Sequence, residues 1–411
     1  MILASVSALA VLPPVVQAEP APMLDYIGSV ELRPDRGELS AGWTILILDP
    51  SLDEIRFALS SSFGTAAVTG SDIGQISSEL SEDETRRLYQ ITLIPSESDA
   101  PRLIRFAYGG PLQLPPINTL DMRKVELTVD GGWYPYEPEL LSQLTAQVGV
   151  QIMGDWTPLV IDKVESAANE DFAGSAYRVR QTEPSFDIAM SWLNSAHLTE
   201  VNNYKIYDMR TEPGTNLDML TMALQECRGV YERMMGPLPT ASILLTDRAY
   251  EAYSRGTLIS LMDIENETEE SLFKIVCHEL SHHWSATSPG GPDDWINEGL
   301  AEYMALIAVR DRYGEAAYQS YLSEFEESLV GEELPSIWTA QITGRTPYMV
   351  SYRAAPLALA ELEHEMGRDA FLAFLQTLLN ERVGETSDLL SHLEALAGPE
   401  VREKFEARLA S

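Results

Sequence analysis

The pentapeptide His278-Glu279-Leu280-Ser281-His282, followed by Trp295-Ile296-Asn297-Glu298-Gly299-Leu300-Ala301-Glu302, constrains this chain more than any other stretch. Residues four apart on a helix lie one turn apart on the same face, so a helix here sets His278 beside His282 with Glu279 next to them. Imidazole nitrogen and carboxylate oxygen are both zinc donors, and a catalytic zinc takes three protein ligands and leaves its fourth position to water. His278 and His282 supply two. Glu298, sixteen positions after His282, lies within reach of a second helix folding back on the first and supplies the third. Glu302 sits one turn beyond Glu298, where its carboxylate can accept the free ring N–H of a ligating histidine, that of His278, and fix its tautomer. Glu279 is left to act as a base. The expected cofactor is one Zn²⁺ per chain.

At these residues the chain resembles the gluzincin metallopeptidases of the aminopeptidase N type, in which the Glu of the second motif is the third zinc ligand. The resemblance implies His278, His282 and Glu298 as ligands, Glu279 as base and Glu302 as the partner of a ligand histidine. Further along, Tyr352-Arg353-Ala354-Ala355 resembles the segment that carries the family's catalytic tyrosine. Upstream, Thr257-Leu258-Ile259-Ser260-Leu261 resembles the edge strand of the substrate cleft, which implies Gly256, Thr257 and Leu258 as substrate-binding residues. There are departures from the pattern. The gap between the two zinc motifs is about three residues shorter than the family's, so the loop through Pro289-Gly290-Gly291-Pro292 is tighter. Tyr352 is not followed by Lys-Gly. Where the family reads a substrate's α-amine with Gly-x-Met-Glu-Asn, this chain has Tyr253-Ser254-Arg255-Gly256, with Ser254 at the glutamate position. Metallopeptidase is therefore better supported than aminopeptidase.

With 411 residues and 45% hydrophobic content the chain can bury more than one core. A formal charge of -35 leaves no basic footprint for nucleic acid. Its bland meaning is solubility. Residues 1–18 read as a signal peptide: Met1 to Val16 is almost uninterrupted apolar and Val16-Gln17-Ala18 offers a cleavage site, although no Lys or Arg precedes the apolar run. Export to the periplasm or the extracellular space is expected, with a membrane tether only if that segment stays uncleaved. Cys227 and Cys277 read as two buried thiols, with a single bridge between helices as the alternative.

The fold class expected is a multidomain α+β chain. Residues 25–213 carry short β-rich runs such as Trp43-Thr44-Ile45-Leu46-Ile47-Leu48, broken by Gly, Asp, Ser and Pro clusters, and read as an all-β sandwich or saddle-shaped domain. Residues 214–345 read as a mixed α/β catalytic domain of thermolysin-like arrangement, and 346–411 as a helical C-terminal lobe. Asn266 is the expected cap of the first zinc helix, and Asp293 or Asp294 of the second. His283 faces away from the ligand pair, and His197, His364 and His392 read as surface residues. Two functions fit. The first is an exported zinc metallopeptidase that hydrolyses peptide bonds with a water activated by Glu279, possible aminopeptidases included. The second is a peptidase-like zinc protein that binds peptides without turning them over.

Overall fold

The computed structural model describes residues 23–95, 100–113, 115, 117–140, 142–160, 163–167, 174–284 and 290–411. The signal segment 1–18 and Pro289 fall outside these residues. A multi-sheet β domain comes first and a helical part follows, as the class expected from sequence requires.

The β domain is built on alternation. In the strand Glu38–Ile47 every second residue, Leu39, Ala41, Trp43, Ile45 and Ile47, is buried, which is the pattern of a sheet with one covered face. It pairs antiparallel with Leu24–Arg33 on one side and Arg102–Pro111 on the other. Leu24–Arg33 in turn pairs parallel with Leu144–Met153 across more than a hundred residues. These strands belong to a seven-stranded sheet, and a three-stranded and a four-stranded sheet complete the domain. The shared core holds an aromatic cluster in which Tyr26, Trp43, Trp133 and Tyr134 meet at ring-centroid distances of 5.1–6.1 Å. Trp133 and Tyr134 are fully buried there.

A five-stranded sheet backs the helices, in the order 197–201, 204–208, 241–245, 258–261, 253–255. It begins upstream of the boundary expected at Pro213, because Tyr204–Asp208 pairs parallel with Ala241–Leu245 and brings His197–Val201 with it. Among the described residues eight α-helices pack with it, the first of them between strands 204–208 and 241–245: α1 (Leu217–Met235), α2 (Glu269–Ser281), α3 (Asp294–Tyr313), α4 (Glu315–Ser328), α5 (Ala355–Met366), α6 (Arg368–Asn380), α7 (Thr386–Ala397) and α8 (Pro399–Leu409). Helix α3 is buried almost all round from Asp294 to Val309, which marks it as the central helix of this half. One hydrophobic core runs from Tyr204 to Leu409, so the helices after residue 346 complete the core around α3.

Helix α2 is capped by Thr268, whose hydroxyl accepts from Ser271 N at 3.1 Å, and not by Asn266. Threonine at this position satisfies one of the four orphan N–H groups of the first turn, and Glu269 and Glu270 suit its positive end. Asp293 occupies the N-cap position of α3 but turns its carboxylate to Thr386 N and Oγ1, at 2.9 and 2.5 Å, tying α7 to the start of the helix. The two cysteines, expected as thiols, form a disulfide between α1 and α2. Cys277 points away from the His278 face of α2, and that direction is where α1 packs. Among the described residues no helix is long and apolar enough to cross a membrane.

Candidate metal centre

The last turn of α2, its C-cap His282 at the start of a short 3-10 turn (His282–Trp284), and the first turns of α3 bring His278, His282 and Glu298 together. The His278 and His282 Nε2 atoms lie 3.2 Å apart, and Glu298 Oε2 lies 3.3 Å from the first and 3.6 Å from the second. An ion bonded tetrahedrally at ~2.0–2.1 Å holds its donors ~3.3–3.4 Å apart, and the triangle brackets that spacing. The outer ring atoms say which way the lone pairs point. His278 Nδ1 stands 2.9 Å from Glu302 Oε2, and His282 Nδ1 stands 3.1 Å from Asn297 Oδ1. Both partners are acceptors, so each Nδ1 carries a proton and each Nε2 is the nitrogen that faces the centre, bare once a metal takes the place of its proton. Glu298 Oε2 is buried and has no hydrogen-bond donor. Three lone-pair atoms facing one another in a buried pocket repel unless a cation sits among them.

The pocket electrostatics ask for the same cation. Burial disfavours a charged His278, but the Glu298 and Glu302 carboxylates beside it outweigh burial and raise its pKa to about 10, so positive charge is favoured at this position. Burial likewise pushes Glu298 up, yet His282 and His278 draw it well below the usual carboxylate range. Glu302, fully buried, is held at about 2 because Lys274 and His278 overcome its desolvation.

Around the donors stand groups that position them. Glu302 bonds His278 as the spacing implied, and its other oxygen takes the ammonium of Lys274, with Arg353 at 3.6 Å. Lys274 is one turn before His278 on the same face of α2, so its i, i+4 spacing in the sequence already sets it beside the Glu302 partner of His278. Asn297 also escaped a role in the sequence reading; its amide orients His282 and donates to Glu298 Oε1 at 2.8 Å. Tyr352 is brought in. It lies on a single π-helical turn, Val350–Ala354, that runs into α5, an irregularity that often re-aims a functional side chain. Its ring stacks on His278 at 5.6 Å and 15°, and the Glu298 carboxylate lies close enough to its hydroxyl to raise the pKa of that group. Gly299 permits this approach: a Cβ there would lie 2.8 Å from Ala355 Cβ and 3.5 Å from Ser351 O.

Gly256, Thr257 and Leu258 are not part of the centre. Thr257–Leu261 resembled an edge strand, but Leu258–Leu261 pairs on both sides, and the edge is Tyr253–Arg255. Gly256 and Thr257 form the turn between the two strands, and Leu258 is buried with Leu159, Leu193, Met209 and Leu244. Ser254 is the residue of this hairpin that reaches the centre. Its hydroxyl lies 2.8 Å from both Glu279 O and Glu279 Oε2. The β domain grips the hairpin from behind. Glu126, wholly buried, accepts from Lys124, Arg248, Tyr253 and Ser260 at 2.5–2.9 Å, and Asp187 accepts from Arg255 Nε at 3.0 Å.

Solved structures with this architecture include a zinc metallopeptidase and a leukotriene A4 hydrolase. The M1 zinc metallopeptidase of Deinococcus radiodurans superposes with a TM-score of 0.65 at 17% identity, over 96% of this chain and 95% of that one. Leukotriene A4 hydrolase of Saccharomyces cerevisiae gives 0.70 at 15% identity, over 94% of this chain and 67% of that one. The fold is that of the M1 zinc metallopeptidases. No family model matches the sequence. Human endoplasmic reticulum aminopeptidase 2 is 30% identical over 109 residues, a match that spans 24% of this chain and 11% of that protein. A variant of the Deinococcus M1 enzyme was solved with a Tyr-Ser-Ala substrate.

Proposed function

We propose that the protein is a zinc-dependent metallopeptidase in which His278, His282 and Glu298 hold the metal. The triangle of Nε2, Nε2 and Oε2 atoms at 3.2–3.6 Å, with Glu298 Oε2 buried and without a donor, carries this reading. A zinc ion held there supplies Lewis-acid polarisation of a carbonyl and lowers the pKa of a neighbouring water. Glu279 takes the proton of the attacking water and returns it to the leaving amine. Ser254 keeps the Glu279 carboxylate in place through their 2.8 Å contact. Burial and the adjacent Glu298 raise the Tyr352 pKa, so its hydroxyl stays protonated and can donate to the oxygen on which charge develops. Lys274, Glu302 and Asn297 hold the two imidazoles in their donor tautomer.

The substrate class is a peptide or protein chain, a reading supported by the peptidases that share the fold. The protein acts outside the cytoplasm in this account. The apolar segment 1–18 supports export, and so does the Cys227–Cys277 bond, since disulfides persist mainly in oxidising compartments. The presence of both Glu279 and Tyr352 beside the donor set leaves the non-catalytic alternative without a supporting observation. Glu279→Gln tests the assignment: turnover of a peptide mixture is abolished while zinc stays bound. A variant that kept most of its activity would refute it.

A further inference from the structure

Resting on the peptidase reading, we propose that Arg345 and Tyr348 form a subsite beside the metal centre that binds a carboxylate of the substrate, carried by an Asp or Glu side chain or by the substrate's own C-terminus. Both residues precede the π-helical turn of Tyr352 by a few positions. Tyr348 stacks on the Tyr352 ring at 4.5 Å and 22°, and Tyr352 stacks in turn on His278. Tyr348 is 59% exposed, so it offers a flat apolar surface two rings away from a metal ligand. Arg345 is fixed to the start of α3. Its Nε donates to Asp294 Oδ2 at 3.1 Å, and Asp294 lies one helical turn, about 5.4 Å, before the ligand Glu298. Thr346 beside it is buried, with its hydroxyl 3.5 Å from Pro292 O, which holds the backbone of this segment against the same helix end.

Pairing with Asp294 does not use up this guanidinium. An arginine that serves only to neutralise a buried carboxylate does so best by presenting two parallel N–H groups to both oxygens. Here a single Nε–H is engaged, Asp294 Oδ1 is left without a donor, and among the described residues Nη1 and Nη2 make no hydrogen bond. The side chain is 62% exposed, which leaves its remaining donors open to solvent. Other cations at the centre are differently employed: Lys274 and Arg353 are mostly buried and both turn to Glu302. Partial burial weakens the charge on Arg345, but Asp294 and then Glu298 more than restore it, which puts the guanidinium within electrostatic reach of the metal ligand. The side of the scissile bond that faces Tyr352 is thus bordered by an aromatic face and a charged fork with free donors. A carboxylate accepts two parallel charge-assisted bonds from such a fork, while the carbon stem that carries it lies on the Tyr348 ring. The formal charge of -35 gives an acidic peptide no long-range attraction, so selection comes from this contact.

The test uses the full chain loaded with zinc and one peptide sequence in matched sets: Glu against Gln at each position flanking the cut, and free acid against amide at the C-terminus. At least one set should favour the carboxylate about fivefold or more in kcat/KM, mostly through KM, because a contact away from the reacting atoms is made equally in ground and transition states. A preference that follows Glu assigns the side chain as the source, and one that follows the free acid assigns the terminus. Arg345→Gln should abolish the preference, and Arg345→Lys, which keeps the charge without the fork, should retain part of it. Each ratio is read within one protein, so a lower overall rate in a variant leaves it interpretable. Ratios below about fivefold in every set with the wild-type chain, or a preference that Arg345→Gln leaves in place, would overturn the inference. Cleavage of none of the peptides by protein holding one zinc per chain would overturn instead the peptidase reading on which it rests.

Discussion

The Cys227–Cys277 bridge is the covalent link between α1 and the zinc helix, and its loss has a calculable cost. The two cysteines are 50 positions apart. Closing a loop of that length removes roughly 14 cal/mol/K from the unfolded ensemble, about 4 kcal/mol at 25 °C in the chain-entropy account. Local contacts survive the loss: Tyr231 still donates to Cys277 O at 2.9 Å, and α1 and α2 share one hydrophobic core with α3. Their packing should keep His278 in place once the chain is folded. The perturbation is Cys227→Ala with Cys277→Ala, and the assay is urea unfolding of both proteins with zinc content and peptide turnover measured before denaturation. The double variant should lose about 3–5 kcal/mol, including the small cavities left by two buried sulfurs, while its native form keeps zinc and most of its kcat. A loss under about 1 kcal/mol would show that the bridge does not restrain the unfolded chain, and a folded variant without zinc would show that packing alone does not position His278.

Further perturbations separate the parts of the centre. Glu302→Gln keeps an acceptor for His278 but strands the charge of Lys274, so zinc affinity by competition with a chelator should fall about 10–100-fold; unchanged affinity would remove Glu302 from its role. Gly299→Ala drives a methyl group against Ala355 and should reduce kcat at least tenfold by displacing Tyr352, while zinc content stays at wild type. Asp294, buried with Oδ1 lacking a partner, has its pKa pushed up to about 7 by burial, against the pull of Arg345. The unfolded carboxyl ionises near 4, so between about pH 4 and 7 the native state holds the extra proton and its stability falls by up to ~1.4 kcal/mol per pH unit from this group. Asp294→Asn should therefore gain stability over wild type as pH rises through that window, and a pH-independent difference would contradict the assignment.

What could be read from the sequence was local. His278, His282, Glu298 and Glu302 are fixed by helical spacing and one short connection, so their relation survives any rearrangement of the rest. Lys274 obeys the same spacing, but spacing alone names no partner for its ammonium. Strand identity was harder. Pairing of Tyr204–Asp208 with Ala241–Leu245, and the choice of Tyr253–Arg255 as the edge, depend on long-range register that apolar runs of four or five residues do not encode. Ser254 therefore appeared only as an absent glutamate, whereas its contact with Glu279 needed the hairpin to be placed. The disulfide was decided by the meeting of two helix faces, and the π-helical turn under Tyr352 by packing against Gly299.

The central claim is that three donor atoms from α2 and α3 hold one divalent ion. Elemental analysis of the purified chain, compared with His282→Ala and Glu298→Ala variants of unchanged circular dichroism, measures this directly. The account predicts one zinc per wild-type chain and little in either variant; a wild-type chain that fails to take up stoichiometric zinc on addition, or variants that retain it in full, would contradict it.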